Sequence, residues 1–304
     1  MKIVVAGGSG FIGSHVVDVL LEQGKEVLIY DLETPRYGQE CAFIRGDIRD
    51  IDRMAQVFQS GDIVYLLAAE ANVNRFFESP IYSNDITANG ALSVLEAARR
   101  TSVARVILAS TEWVYGSASQ ADEGRITEET PCTESPDHIY TSSKIASELF
   151  CKNYHRLYGV CFAIMRYGIP FGERARLETV TPIFIRRIVR DEPITIHGDG
   201  SQSRQFIYVK DLARGNAACL DSAAENQIFN LNGKKPISVI KIVKTLEEIL
   251  GKKATLNFVE DRSGNFKGRF ISSEKARRLL GWEPQFDYEE AMRIYVDRFL
   301  KNDT

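Results

Sequence analysis

Paired cysteines are lacking: among 304 residues there are 5, Cys41, Cys132, Cys151, Cys161 and Cys219, an odd number with no C-x-x-C. That spacing argues against a zinc framework, so no metal is expected, and it reads as reduced thiols in a cytoplasmic protein. An excess of one charge is lacking too. The 38 Lys and Arg against 41 Asp and Glu leave a formal net charge of -3. This balance gives no electrostatic footprint for nucleic acid and no polybasic patch for a membrane. No apolar run approaches the roughly 18 residues of a membrane span. The start, Met1-Lys2-Ile3-Val4-Val5, runs straight into glycines and is too short for a signal-peptide core. Internal repeats, low-complexity tracts and long linkers are missing as well. What remains, at 44% hydrophobic and 26% charged residues, is an ordinary globular composition. At roughly 150 residues per domain, the length predicts one large domain or two that share a boundary.

What is present first is alternation. Short β-branched runs (Ile3 to Ala6, Glu26 to Tyr30, Ile63 to Ala68, Arg105 to Ala109) read as buried strands. Amphipathic segments between them (Phe11 to Gln23, Asp52 to Gln59, Ser83 to Arg100) read as helices. A helix from Ser142 to Tyr158 precedes a strand from Cys161 to Arg166. Such alternation predicts an α/β fold with a Rossmann-type doubly wound parallel sheet. Past about Ile169 the pattern changes. A helix from Pro182 to Arg190, a Gly-rich turn from His197 to Gly200 and a strand from Gln205 to Tyr208 follow. Helices from Ile237 to Leu250 and from Tyr288 to Leu300 complete a smaller C-terminal α/β lobe. The expected division is 1–170 and 171–304, with segments free to cross between lobes.

The first strand enters Gly7-Gly8-Ser9-Gly10-Phe11-Ile12-Gly13 and then a helix. The run fits G-x-G-x-x-G through Gly8, Gly10 and Gly13, and G-x-x-G-x-x-G through Gly7, Gly10 and Gly13. Glycines permit the tight turn, let backbone approach a pyrophosphate, and let helix pack on strand. The helix N-terminus, with Phe11 and Ile12 in its first turn, offers N–H groups to the phosphates. Asp31 stands 18 residues past Gly13, near the spacing of the acid that accepts ribose hydroxyls. A carboxylate there repels a 2′-phosphate and favours NAD over NADP, although Arg36 nearby would suit NADP. In Gly46-Asp47-Ile48-Arg49-Asp50, an Asp either accepts from the adenine amino group or caps the next helix.

Tyr140 and Lys144 are four residues apart, which places them on one helix face. An ammonium near a phenol favours the phenolate, making Tyr140 a base for a sugar or alcohol hydroxyl. Ser110-Thr111-Glu112-Trp113-Val114-Tyr115-Gly116 follows a strand, at the sheet edge where open α/β folds bind ligands. Thr111 is suited to align the hydroxyl being oxidised.

In this order, the glycine run, Asp31, S-T-x-x-V-Y-G and Y-x-x-x-K resemble the extended short-chain dehydrogenase/reductase family, within it the nucleotide-sugar epimerases and dehydratases. The likeness continues through Arg166-Tyr167, Phe171-Gly172 and Arg174, through the run from His197 to Asp211, and through Leu280-Gly281-Trp282-Glu283-Pro284. It implies an NAD-binding domain over 1–170 and a substrate-binding lobe over 171–304. It implies that Gly7, Gly10, Phe11, Ile12, Gly13, Asp31, Asp47, Ile48, Leu67, Ala68 and Ala69 contact NAD. Tyr140 would be the base, Lys144 its electrostatic partner and a ribose ligand, and Thr111 the hydroxyl aligner. Arg204 and Arg262 would hold the diphosphate of a nucleotide-sugar substrate, to which the planar guanidinium is suited. Dehydratases similar to this chain carry Asp and Glu before V-Y-G, whereas here the pair is Glu112-Trp113. Trp cannot transfer a proton, so 4-epimerisation of the UDP-glucose/UDP-galactose type is favoured over dehydratase, decarboxylase or 4-keto reductase chemistry. Glu112 is a further catalytic or substrate-binding candidate, or a turn cap. Ile169, Thr87 and Leu66 depart from the Asn, Asn and His common at their positions. The resemblance also implies a homodimer through helices Ser83–Arg100 and Ser142–Tyr158. The apolar spacing of Ile145, Leu149, Tyr154 and Leu157 equally allows that face to cover the chain's own sheet.

Overall fold

The computed structural model describes residues 1–116, 125–260 and 270–302. Strands β1 (Ile3–Ala6), β2 (Val27–Asp31), β3 (Ala42–Arg45), β4 (Ile63–Leu66), β5 (Arg105–Thr111) and β6 (Phe162–Tyr167) alternate with helices. These are α1 (Phe11–Glu22), α2 (Ile51–Val57), α3 (Val73–Glu78), α4 (Pro80–Asn84), α5 (Gly90–Thr101) and α6 (Ile139–Tyr158). The chain continues through β7 (Ile169–Phe171), α7 (Val180–Val189), β8 (Ile194–His197), β9 (Ser203–Arg204), β10 (Phe206–Tyr208), α8 (Val209–Ala218) and β11 (Gln227–Leu231). It closes with β12 (Ile237–Ser238), α9 (Val239–Leu250), β13 (Leu256–Val259), α10 (Glu274–Leu280) and α11 (Tyr288–Asn302).

The central sheet runs β3-β2-β1-β4-β5-β6-β11 with every neighbouring pair parallel. Both faces are covered, which is why β1 and β4 read as unbroken apolar runs and every residue of β5 and β6 is buried. Ile3 and Val5 pack with Val16, Val17 and Leu20 of α1 and Leu212 and Ala213 of α8. Val4 and Ala6 point the other way, into Met54 of α2, Val94 and Leu95 of α5 and Cys151 of α6. Each such large apolar side chain contributes about 1.5–3 kcal/mol by leaving water. The strand order turns at β1, which lies between β2 and β4. The crevice beyond their carboxyl ends is the place where such sheets bind ligands.

The second half does not stay apart. Strand β11 returns to the main sheet beside β6, and α8 packs against α1. The smaller lobe holds three two-stranded pairings, β7 with β10, β8 with β13, and β9 with β12. Its core is built from Phe184, Ile185, Ile242, Leu246, Met292 and Val296.

Some boundaries differ from expectation for local reasons. The segment read as one helix from Ser83 starts at Pro80 and contains a π-turn, Asp85–Asn89. There the Thr87 hydroxyl accepts the Glu70 amide at 3.2 Å, and Gly90 leaves room for the Ile48 side chain. Helix α6 begins at Ile139 rather than Ser142, because His138 Nδ1 accepts the Thr141 amide at 3.3 Å and caps it. Ile237 lies in β12, and Ser238 caps α9 by accepting the Lys241 amide. Among the described residues no helix is long and apolar enough to cross a membrane.

Candidate active site

The glycine turn is shaped by contacts no side chain would allow. Gly7 has φ +90, and a Cβ on it would come within 2.5 Å of the Ala68 amide nitrogen. A Cβ on Gly13 would overlap the Gly7 carbonyl oxygen, so α1 rests directly on the turn. The Gly10 amide donates to that carbonyl at 3.2 Å. At its start α1 has neither a side-chain cap nor an acidic residue, so its first-turn N–H groups offer positive potential to the crevice. Gly7, Gly10, Phe11, Ile12, Gly13, Leu67 and Ala69 line one cleft of about 510 Å³. Ala68 supports it from below, donating its amide to the Ala6 carbonyl at 2.9 Å. This cradle, which any Cβ would fill, fits a dinucleotide pyrophosphate.

Asp31 is held beside the turn, accepting the Ser9 amide on Oδ2 and the Glu33 amide on Oδ1, both at 3.0 Å. Arg36 is engaged elsewhere, with Glu33 at 3.2 Å on the surface. The acidic turn after β3 divides its labour. Asp50 caps α2 by accepting the Arg53 amide at 2.9 Å. Asp47 is gripped by Arg49 at 2.6 Å, and Arg49 reaches Asp85 at 2.8 Å. The hydrogen bonds from Arg49 hold the Asp47 carboxyl below the usual carboxylate range. Ile48 is buried against Gly90.

Across the same cleft stand Ser110, Thr111, Trp113 and Tyr140. Thr111 closes β5, its hydroxyl accepts the Trp113 amide at 3.3 Å, and it lines the same cleft as Tyr140. Tyr140 lies in the first turn of α6, with Lys144 one turn on. Lys144 Nζ donates to the Ala109 carbonyl at 3.0 Å and lies 6.0 Å from the Tyr140 ring centroid. Burial pushes the phenol up to about 12, against the Thr111 hydroxyl and the charge of Arg176. Burial also pushes the Lys144 ammonium down to about 8, opposed by Glu148. In the chain alone, burial outweighs the Arg176 charge that favours the phenolate.

Glu112 is buried in the turn Glu112–Tyr115, between Thr111 and Trp113, which line the cleft. Its Oε2 has no hydrogen-bond partner, and burial pushes its carboxyl up to about 8 despite the charge of Arg204. Trp113 stacks on His138, with centroids 4.7 Å apart, and the Arg204 guanidinium lies 5.8 Å from the indole. Arg262 lies outside the described residues.

The family described as the NAD dependent epimerase/dehydratase family matches residues 3–231. The chain belongs to that family. It is 33% identical over 316 residues to a UDP-glucuronate 4-epimerase of Thermodesulfobacterium geofontis, covering 98% of this chain and 96% of the relative. The crystal structure of a Thermotoga maritima UDP-glucose 4-epimerase with UDP-glucose superposes with TM-score 0.91 at 29% identity, covering all of both chains. A Bacillus cereus UDP-glucuronic acid 4-epimerase, solved with UDP-glucuronic acid and NAD, superposes with TM-score 0.89 at 28% identity. That match covers 99% of this chain and 100% of the other.

Within this epimerase/dehydratase scaffold the three departures fall in distinct places. Ile169 lines the cleft. Leu66 is buried at the end of β4. Thr87 serves the π-turn. Three residues around Tyr140 escaped the sequence reading. Phe76 packs edge-on against its ring at 5.6 Å, His138 lies at 5.9 Å, and Arg176 lines the cleft while donating to the Ala71 carbonyl at 3.1 Å. Only His138 had a local signal, its place two residues before Tyr140 at a helix start.

Proposed function

We propose that this family member is an NAD-dependent nucleotide-sugar 4-epimerase of the UDP-glucose/UDP-galactose type. The observation that carries the choice is Trp113. Its indole lines the cleft beside Thr111 and Tyr140, where a dehydratase needs a group that moves a proton. Glu112, buried beside it, does not replace it. The relatives that act on UDP-glucose and UDP-glucuronate support the same substrate class.

When bound, NAD supplies a reversible hydride acceptor at sugar carbon 4 together with a positive ring charge. The glycine turn and the first turn of α1 (Gly7, Gly10, Phe11, Ile12, Gly13) would hold its pyrophosphate, and Asp31 would accept from the adenosine ribose hydroxyls. Asp47, Ile48, Leu67, Ala68, Ala69 and Lys144 would complete the cofactor contacts. Thr111 Oγ1 and Tyr140 Oη grip the sugar 4-oxygen. Tyr140 takes the hydroxyl proton as carbon 4 becomes a carbonyl, and gives it back at the end of the turnover. Its burial makes the phenol a poor acid alone, so the cations converging on it are part of the catalyst. Between the two proton transfers the keto sugar turns about its diphosphate, anchored by Arg204 and Arg262. Residues 1–170 carry the cofactor and residues 171–304 most of the substrate contacts.

In the same reading the protein is a cytoplasmic homodimer. Ile81 is 86% exposed and Leu157 61% exposed, and Tyr82, Leu149 and Tyr158 are exposed with them along the helical segment from Pro80 and along α6. Exposed apolar side chains in such number are commonly covered in an assembly, most economically by a second copy. Incubation with UDP-glucose tests the function: epimerisation gives UDP-galactose with no net NADH and no loss of water. Net NADH or a dehydrated product rejects it.

A further inference from the structure

Beneath the catalytic wall lies an ion pair that the mechanism above leaves idle. Glu148 sits on α6 at 1% exposure and Arg166 on β6 at 2%. Glu148 Oε2 accepts Arg166 Nη2 at 2.7 Å, and Oε1 accepts Arg166 Nε at 3.0 Å and the Ser110 hydroxyl at 2.6 Å. Two buried charges cost several kcal/mol each in desolvation, and a well-packed apolar pair is often as stable or more so. Stability alone is therefore a weak reason for this pair.

Its position supplies another. Tyr140, Lys144 and Glu148 follow at four-residue intervals, so they share one face of α6. Ser110 directly precedes Thr111 and lines the cleft. One carboxylate thus ties the end of β5, where Thr111 stands, to the helix face that carries Tyr140 and Lys144. Resting on the epimerase reading above, we propose that Glu148, clamped by Arg166 and Ser110, is a positioning residue: its carboxylate keeps the buried Lys144 ammonium charged and holds Thr111 in register with Tyr140.

The surrounding charges leave this task to Glu148. Tyr140 is the titratable neighbour on the same helix face. On the packed elements Asp85 is held by Arg49, Glu96 by Arg99 and Arg100, Arg75 by Glu70, and Arg105 by Glu225. Glu112 is buried near Arg204, His138 stacks on Trp113, and Glu78 and Lys152 face solvent. Glu148 is the charged group that favours the Lys144 ammonium against its burial.

The test uses the NAD-loaded protein with ¹³Cε-labelled lysine, Lys144→Arg serving to assign the Lys144 signal. Glu148→Gln removes the carboxylate. Glu148→Gln/Arg166→Met removes both charges, so no unpaired ion stays buried. In Glu148→Gln the Lys144 titration midpoint is expected to fall by at least about one pH unit, a tenfold change in the ionisation ratio, and in the double variant, which also loses the Arg166 cation, by a smaller amount in the same direction. The high-pH limb of kcat should fall by the same amount while KM changes less than about twofold. Glu148→Asp should recover part of both shifts. An unmoved Lys144 midpoint in a folded variant overturns the proposal. So does a loss of kcat equal at every pH, or failure of both variants to fold, each of which assigns the pair to structure alone. Because the midpoint is read without turnover, it stands even if the substrate reading fails, and that failure would appear separately as wild type with no epimerisation.

Discussion

Lys144 stands one helical turn beyond Tyr140 and spans to the neighbouring strand: its Nζ lies 6.0 Å from the ring centroid of Tyr140 and donates to the Ala109 carbonyl of β5 at 3.0 Å. The ammonium thus fastens α6 to β5 near the phenol's ring. Tyr140 shares the cleft with Thr111, at the end of that strand.

Tyr140→Phe keeps the ring that packs on Phe76 and removes only the hydroxyl that carries the proton. We expect kcat to fall by about 10²–10⁴-fold, the usual worth of a positioned acid–base group. Bound NAD, measured by mass spectrometry of denatured protein, should stay at the wild-type level. Full activity would remove Tyr140 from the mechanism.

Gly7→Ala and Gly24→Ala separate two costs of a methyl group. Both positions have positive φ, so each carries backbone strain of about 1–2 kcal/mol. Only at Gly7 would the new Cβ strike backbone, within 2.5 Å of the Ala68 amide, whereas at Gly24 it meets open space. Calorimetry should show NAD affinity reduced at least about tenfold in Gly7→Ala and unchanged in Gly24→Ala. Equal NAD binding by the two would contradict the cradle.

Glu112 gives a pH signature in stability. Its carboxyl is pushed up in the folded chain to about 8, above the ordinary 4.5. The folded state then holds a proton that the unfolded state has lost between those values. By linkage, the stability tied to Glu112 is full below about 4.5 and declines as pH rises through about 8. Glu112→Gln removes the titration. The stability of this variant relative to wild type, followed as Tm at each pH, should rise from pH 5 to pH 8.5 by up to roughly 4 kcal/mol. A difference in Tm that is constant with pH would show that Glu112 is charged and satisfied.

Leu149→Glu with Leu157→Glu places charge on the exposed face of α6 without touching the cleft. Both side chains stand in solvent in the single chain. Light scattering should show a dimeric wild type and a monomeric variant, with little loss of monomer stability. A monomeric wild type would leave that apolar face without a second copy.

The parts that were legible were local. Glycine spacing, Asp31, and the interval from Tyr140 to Lys144 each encode their geometry within one turn or one helix, and sequence order suffices to read them. The unread parts depend on what meets in space. Strand β11 pairs with β6 only because the edge of the sheet is open there, and nothing in Gln227–Leu231 marks that edge. The acidic turn looked symmetrical between a ligand and a cap. Arg49 and the Arg53 amide resolve it, the first taking Asp47 and the second Asp50. Arg176 reaches the Tyr140 cleft from a loop of the other lobe, and its place two residues beyond Arg174 carries no signal of that reach. The burial that pushes the Tyr140 phenol up and the Lys144 ammonium down is likewise invisible in sequence, because it depends on what packs around them.

The most direct test of the central claim is the product formed from UDP-glucose by the protein as purified with its bound NAD, followed by proton NMR alongside NADH absorbance. An approach to an equilibrium mixture of UDP-glucose and UDP-galactose from either side, with no net NADH, is the predicted result. Accumulation of NADH or of a dehydrated 4-keto sugar, with no UDP-galactose, would contradict it.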